Sequence, residues 1–176
     1  MSTRTVLHDA DISRALTRIS HEILESNKGA QDLVILGIPT RGVTLARRLA
    51  TQVAQVSGSP VPVGALDVTM YRDDLHRHPT RAPQPTDIPP GGIDGKTVVL
   101  VDDVLFSGRS IRAALDALQD IGRPAIVRLA ILVDRGHREL PIRPDFVGKN
   151  LPSARDERVF VRLTEVDGTE EVAIES

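Results

Sequence analysis

Along residues 9–27, DADISRALTRISHEILESN, the apolar positions Ile12, Ala15, Leu16, Ile19 and Ile23 recur every three or four residues, the spacing of one helical face. Asp9 or Asp11 can cap the start, and NKGAQ ends the pattern. DLVILGI, residues 32–38, is an unbroken apolar run and predicts a buried strand, after which TRGVTLARRLATQVAQV resumes helical spacing. VPVGALDVTMY, 61–71, predicts a further strand. KTVVLVDD, from 96, is the most apolar strand candidate; VLFSGRS follows as a loop. SIRAALDALQDIG then predicts a helix with Ile111, Ala114, Leu115 and Leu118 inward, stopped by Gly122 and Pro124. AIVRLAILVDRG predicts another buried strand, and the proline-interrupted HRELPIRPDFVGKNLPSARDE an irregular stretch. RVFVRLTEVDGTEEVAIES alternates like a terminal hairpin around Asp167 and Gly168.

Strands alternating with helices predict an α/β fold: a doubly wound, mostly parallel sheet with a small hood and a terminal hairpin. RDDLHRHPTRAPQPTDIPPGGIDG, from residue 72, has no period and is rich in proline, glycine and charge, which predicts a flexible lid at about 70–92. A length of 176 residues fits one domain, 1–176, with a full core.

Composition narrows the chemistry. The absence of cysteine excludes disulfides and zinc–thiolate sites. MSTRTVLHDADISR lacks the apolar core of a signal peptide and no run approaches membrane length, so a cytoplasmic protein is expected. A net charge of -2 gives no global pull toward nucleic acid; any polyanion site must be a local patch. With only Tyr71, Phe106, Phe146 and Phe160, and no tryptophan, the chain cannot build the stacking platforms of many single-strand RNA modules. HRH at 76–78 lacks a third ligand, and no protein metal site is assigned.

Three stretches fall at the carboxyl ends of predicted strands, where open α/β sheets bind ligands: Gly37 to Gly42, Asp102 to Ser110, and Val133 to Gly136. In FSGRS, Ser107, Gly108 and Ser110 lead into a helix, so backbone N–H groups and hydroxyls converge where a phosphate can sit. Two adjacent carboxylates, Asp102 and Asp103, emerge just ahead of that cradle. They suit two ribose hydroxyls of one sugar phosphate, although an acidic pair can also simply end a strand and cap a helix. A nucleotide P-loop is a poor competitor, because Arg109 follows the glycine where that loop needs lysine.

VVLVDDVLFSGRS closely resembles the phosphoribosyl-pyrophosphate signature of type I phosphoribosyltransferases, and GIPTRG resembles their pyrophosphate loop. LDVTMYRDDL and LVDRGHRELPIRPDFVGKNLPS resemble a narrower group, the pyrimidine-operon regulators (PyrR) that retain uracil phosphoribosyltransferase activity. The likeness runs through nearly the whole chain. Phe106 and Ser107 stand where that family more often has tyrosine and threonine, and Ser153 where threonine is common.

The resemblance implies transfer of phosphoribose from phosphoribosyl pyrophosphate to uracil, giving UMP and pyrophosphate with Mg²⁺ carried mainly by the substrate. It implies a catalytic set of Asp102, Asp103, Arg41 and Arg72. Thr40, Arg41 and Gly42 would hold pyrophosphate, and Val104, Leu105, Phe106, Ser107, Gly108, Arg109 and Ser110 the phosphoribosyl group. Backbone groups of Val133 and Asp134, with Arg135 nearby, would read the pyrimidine edge, and Val159 would wall the pocket. The alternative is a phosphoribosyltransferase for another base without an RNA role.

The resemblance also implies a regulator that binds leader RNA of pyrimidine genes when loaded with UMP or UTP. Thr17, Arg18 and His21 lie within one turn of the first helix, and Arg138, Arg143 and Lys149 add charge downstream; these match the residues that family uses for RNA. A homodimer or higher homo-oligomer would present two copies of the patch.

Overall fold

A computed structural model of the chain describes residues 2–73 and 86–176. In chain order the elements are β1 (Thr3–Leu7), α1 (Asp9–Asn27), β2 (Leu33–Gly37), α2 (Arg41–Ser57), β3 (Val63–Ala65), a 3-10 turn (Thr69–Tyr71), β4 (Thr97–Leu105), α3 (Arg109–Gln119), β5 (Ile126–Asp134), β6 (Phe146–Asn150), β7 (Arg158–Arg162), α4 (Thr164–Asp167) and β8 (Glu171–Glu175).

The central sheet is parallel, in the order β3-β2-β4-β5-β6, and a separate antiparallel sheet runs β1-β8-β7. Strand β4 reads as continuous apolar sequence because both its faces are covered. Val99 and Val101 turn toward α1 and α2, packing with Ile12, Ile19, Leu45 and Leu49. Val98 and Leu100 turn toward α3, packing with Ile111, Ala114 and Leu118. The five apolar residues expected on one face of α1 are all buried. Val161, Leu163 and Val172 of the antiparallel sheet and its α4 turn join the α1/α2 core, which fixes this hood against the domain.

The pattern misses two strands. TRTVL is mostly exposed and half polar, and becomes β1 only by pairing with β8, Thr3 opposite Glu175. FVGKN contains a glycine and a lysine; it becomes β6 because β5 offers its free edge, Ala130 opposite Phe146. The strand expected over 61–71 shrinks to Val63–Ala65, since the Asp67 carboxylate accepts hydrogen bonds from Thr69 N–H and Oγ1 (3.3 and 2.8 Å) and turns the chain. β4 runs on through Leu105, so the acidic pair lies within the strand rather than beyond it. His8 is the N-cap of α1, and Asp11 accepts its N–H at 2.9 Å, whereas Asp9 is the first helical residue. The terminal hairpin turns through α4, closed by Gly168, and not through a two-residue turn.

The expected lid lies partly outside the described residues, as does the HRH stretch. Its described ends are tied down: Ala65 and Asp87 exchange backbone hydrogen bonds of 2.9 and 2.8 Å, and Tyr71 Oη donates to Asp120. Among the described residues, no helix is long and apolar enough to cross a membrane.

Candidate active site

From β2 the chain winds to β3 on one side, and from β4 to β5 on the other, so the strand order reverses between β2 and β4. A crevice must open beyond the carboxyl ends of these two strands. A cavity of about 230 Å³ lies there, lined by Ile38 to Arg41, Asp67 to Thr69, Arg72, Asp102 to Val104 and Ser110. Thr40, Arg41, Arg72, Asp102, Asp103, Val104 and Ser110, distant in sequence, are thus brought together as expected.

The β2 end contributes a tight approach. A Cβ on Gly42 would stand 2.5 Å from the Val101 carbonyl oxygen and 3.4 Å from an Asp102 carboxylate oxygen. Only glycine lets the start of α2 sit this close to β4 and its acidic pair. The Pro39–Thr40 peptide bond is cis. Arg41 opens α2, and its guanidinium forks onto Asp167 of α4, Nε to Oδ2 at 3.1 Å and Nη2 to Oδ1 at 2.6 Å. That hydrogen-bonded pair, reinforced by the more distant Asp103, keeps Arg41 firmly charged.

On β4 the two carboxylates fold back over their own strand: Asp102 Oδ1 accepts from Asp103 N–H and Asp103 Oδ1 from Val104 N–H, both at 2.8 Å. Each is thereby fixed at the cavity wall. Leu105, expected at the ligand, has its side chain buried in the α3 core.

The loop Phe106–Gly108 is held from behind. Ser107 O accepts from Glu139 and Leu140 N–H (2.9 and 3.2 Å), Phe106 O from Arg138 Nη1 (3.0 Å), and a Cβ on Gly108, whose φ is +94°, would meet Ile142 at 3.0 Å. Ser107 Oγ accepts from Arg109 N–H at 3.3 Å. The Arg109 side chain binds Asp73 and Glu139 (2.7 and 2.9 Å) and is not among the residues lining the cavity.

At the end of β5 the groups expected to read the base also take part in the sheet. Val133 is fully buried between β4 and β6, Asp134 O accepts from Leu151 N–H, and Arg135 N–H donates to Leu105 O (3.1 Å). Sheet pairing on both sides continues to Asp134, which the sequence could not show. Burial works against the charged form of Asp134, yet Arg138 Nη2 at 2.5 Å and Gly136 N–H hold its carboxyl below its ordinary value. Arg135 lies over the Phe106 ring, its Cζ 4.3 Å from the centroid, and donates to Ser153 Oγ and Ala154 O. His137 meets the same ring edge-on and contacts Ser153 O at 2.6 Å, a structural placement. Val159, like Val104 and Leu151, is partly buried against the α1/α2 core.

The residues matched to RNA divide. His21, Arg143 and Lys149 are exposed; Thr17 is exposed with its hydroxyl bonded back to Ser13 O. Arg18, also exposed, donates to the carbonyls of Val147 and Gly148 (2.7 and 2.6 Å), bracing α1 on β6. Arg138 donates to Ile142 O, Phe106 O and Asp134, and so braces the Phe106–Gly108 loop while remaining partly exposed. Asp67, Thr69 and Asp167 went unnoticed in the sequence. The first two follow β3 and line the cavity; their signal was a place after a strand end, within the stretch LDVTMYRDDL.

Among the described residues no cluster of three or more His, Asp or Glu can hold a metal ion. An adjacent pair of carboxylates, Asp102 and Asp103, fits a Mg²⁺ that keeps most of its oxygen ligands from substrate and water.

A switch-point crevice with an acidic pair between two helix starts defines a sugar-phosphate transferase of the type I phosphoribosyltransferase fold. A model of the phosphoribosyl transferase domain matches residues 2–167. The chain is 73% identical to the bifunctional protein PyrR of Leifsonia xyli, over 99% of this chain and 98% of that protein, and 66% identical to that of Streptomyces coelicolor, over 97% and 89%. It belongs to the bifunctional PyrR family of phosphoribosyltransferases. Among solved structures it is similar to a hypoxanthine phosphoribosyltransferase from Staphylococcus aureus (TM-score 0.71, 19% identity, 97% and 90% of the two chains). A hypoxanthine-guanine phosphoribosyltransferase from Bacillus anthracis gives a TM-score of 0.74 at 15% identity, over 98% of each chain. At that distance the likeness concerns the fold alone.

Proposed function

We propose that the chain joins uracil to phosphoribosyl pyrophosphate, releasing pyrophosphate, and that with UMP or UTP bound it regulates pyrimidine genes through leader RNA. The observation that carries the first role is the convergence of Asp102, Asp103, Arg41 and Arg72 on one crevice. Uracil N1 gives up its proton to solvent and bonds to the anomeric carbon as that carbon's bond to pyrophosphate breaks, building positive charge on ribose and negative charge on the leaving group. Catalysis is therefore positional and electrostatic. Asp102 and Asp103 bind the ribose hydroxyls and face the cationic side. Thr40, Arg41, the Gly42 backbone and Arg72 hold pyrophosphate, and the loop Phe106 to Ser110 takes the 5′-phosphate. Asp102 and Asp103 would hold a Mg²⁺ carried in with the substrate, which would supply charge neutralisation for the departing pyrophosphate. Val104, Phe106 and Val159 wall the base, with Arg135 holding the Phe106 ring.

The RNA role is supported by relatives' names and by the exposed Thr17, His21, Arg143 and Lys149. Because Ser107 O is bonded to the segment that carries Arg138 and Arg143, a nucleotide phosphate on the loop bears directly on that segment. Linkage then requires RNA to tighten nucleotide binding by the same factor. A homodimer doubles the patch, and the setting is cytoplasmic.

The test is nucleotide formation from phosphoribosyl pyrophosphate, Mg²⁺ and uracil, orotate, hypoxanthine or guanine. UMP from uracil alone, lost by at least about 100-fold in Asp102→Asn/Asp103→Asn, is expected. Product from another base instead would establish the alternative transferase.

A further inference from the structure

Arg41 must aim at pyrophosphate from the first position of α2, where a long side chain has several rotamers to choose from. In the structure that choice is made by Asp167, 126 residues later in the chain, on the α4 turn between β7 and β8. The pair is bidentate, and both side chains are largely shielded, at 32% and 18% exposure. The carboxylate is itself held: Asp167 Oδ2 also accepts the Leu163 N–H at 2.8 Å. Nε and Nη2 of Arg41 are used; among the described residues Nη1 has no hydrogen-bond partner, and Arg41 lines the cavity.

The same turn grips α2 a second time, two helical turns away, where Arg48 binds Glu165 and Glu170. That second grip does not reach the cavity. The hood is thus docked on α2 by one purely structural ion-pair cluster and by one that ends on a ligand-facing guanidinium.

We propose that Asp167 is a positioning residue for phosphoribosyl transfer, fixing the Arg41 fork so that Nη1 meets the pyrophosphate of the substrate. The proposal rests on the transferase reading of the crevice. Asp167 touches no substrate; its carboxylate takes two of Arg41's donors and thereby orients the rest, as a planar guanidinium allows.

The experiment measures kcat, KM for phosphoribosyl pyrophosphate, and pyrophosphate affinity by calorimetry in the full chain, for the wild type, Asp167→Asn, Asp167→Glu and Glu165→Gln. Asp167→Asn should raise KM and the pyrophosphate Kd by about tenfold with kcat changed less than threefold. Asp167→Glu should recover part of the loss. Glu165→Gln, which weakens only the structural grip, should lower the melting temperature while leaving KM in place. Equal KM in Asp167→Asn and wild type, a loss shared equally with Glu165→Gln, or tighter pyrophosphate binding in Asp167→Asn would each overturn the proposal, the last by making Asp167 a competitor of the ligand. A wild type that binds no pyrophosphate and forms no nucleotide would instead overturn the transferase reading itself.

Discussion

Gly42→Ala tests the reasoning about the crevice most directly, because the perturbation is a single methyl group of known direction. The new Cβ would lie 2.5 Å from the Val101 carbonyl oxygen. That oxygen cannot swing aside: it accepts the Ile38 N–H at 2.9 Å and sits in the middle of the sheet. An ordinary carbon–oxygen contact needs about 3.3 Å, so the start of α2 must retreat by roughly 0.8 Å. It would carry Thr40 and Arg41 with it, away from Asp102. Overpacking of this kind costs about 1–3 kcal/mol, and the better helix propensity of alanine returns at most about 1 kcal/mol. A net loss of about 1–2 kcal/mol is therefore expected in urea unfolding. A misplacement near 1 Å lowers rates by on the order of 100-fold, so kcat/KM for phosphoribosyl pyrophosphate should fall by about 30–100-fold, well beyond the stability effect at assay temperature. Activity within twofold of wild type, with stability unchanged, would show that α2 does not press on β4 as described.

Two basic residues matched to RNA should behave differently. Arg138→Ala removes donors to Phe106 O, Ile142 O and Asp134 and should destabilise the protein by about 2–3 kcal/mol, with a raised KM for uracil; Arg143→Ala, exposed, should leave the urea midpoint in place while weakening leader-RNA binding and reducing its salt slope by about one. If both variants behave alike in unfolding, the structural role of Arg138 is wrong. Stability should also fall in acid. Asp167 is held low by Arg41, Glu165 and Glu170 by Arg48, and Asp134 by Arg138 despite its burial. Carboxyls depressed in the folded state contribute stability that is complete above their unfolded values and disappears as pH falls through the folded ones. Urea midpoints should be level from pH 7 to about 5 and decline below about 4; a level profile to pH 3 would remove the ion pairs from the account.

The period of apolar residues determined α1, α2, α3 and the buried strands β2, β4 and β5, because elements covered by the core carry their burial pattern in local sequence. The acidic pair and FSGRS were legible for a related reason: their chemistry depends on neighbours one to eight residues away. What the sequence left open was set by partners far along the chain. β1 and β6 are strands only because β8 and β5 present open edges. Val133 and Asp134 pair with both β4 and β6 at the end of β5, and the Arg138 guanidinium meets three acceptors that only folding assembles. Asp167 had no local signal at all. A carboxylate in a turn looks like any solvated charge until the tertiary structure sets a guanidinium against it, since ion-pair geometry depends on distance in space and not on spacing in sequence.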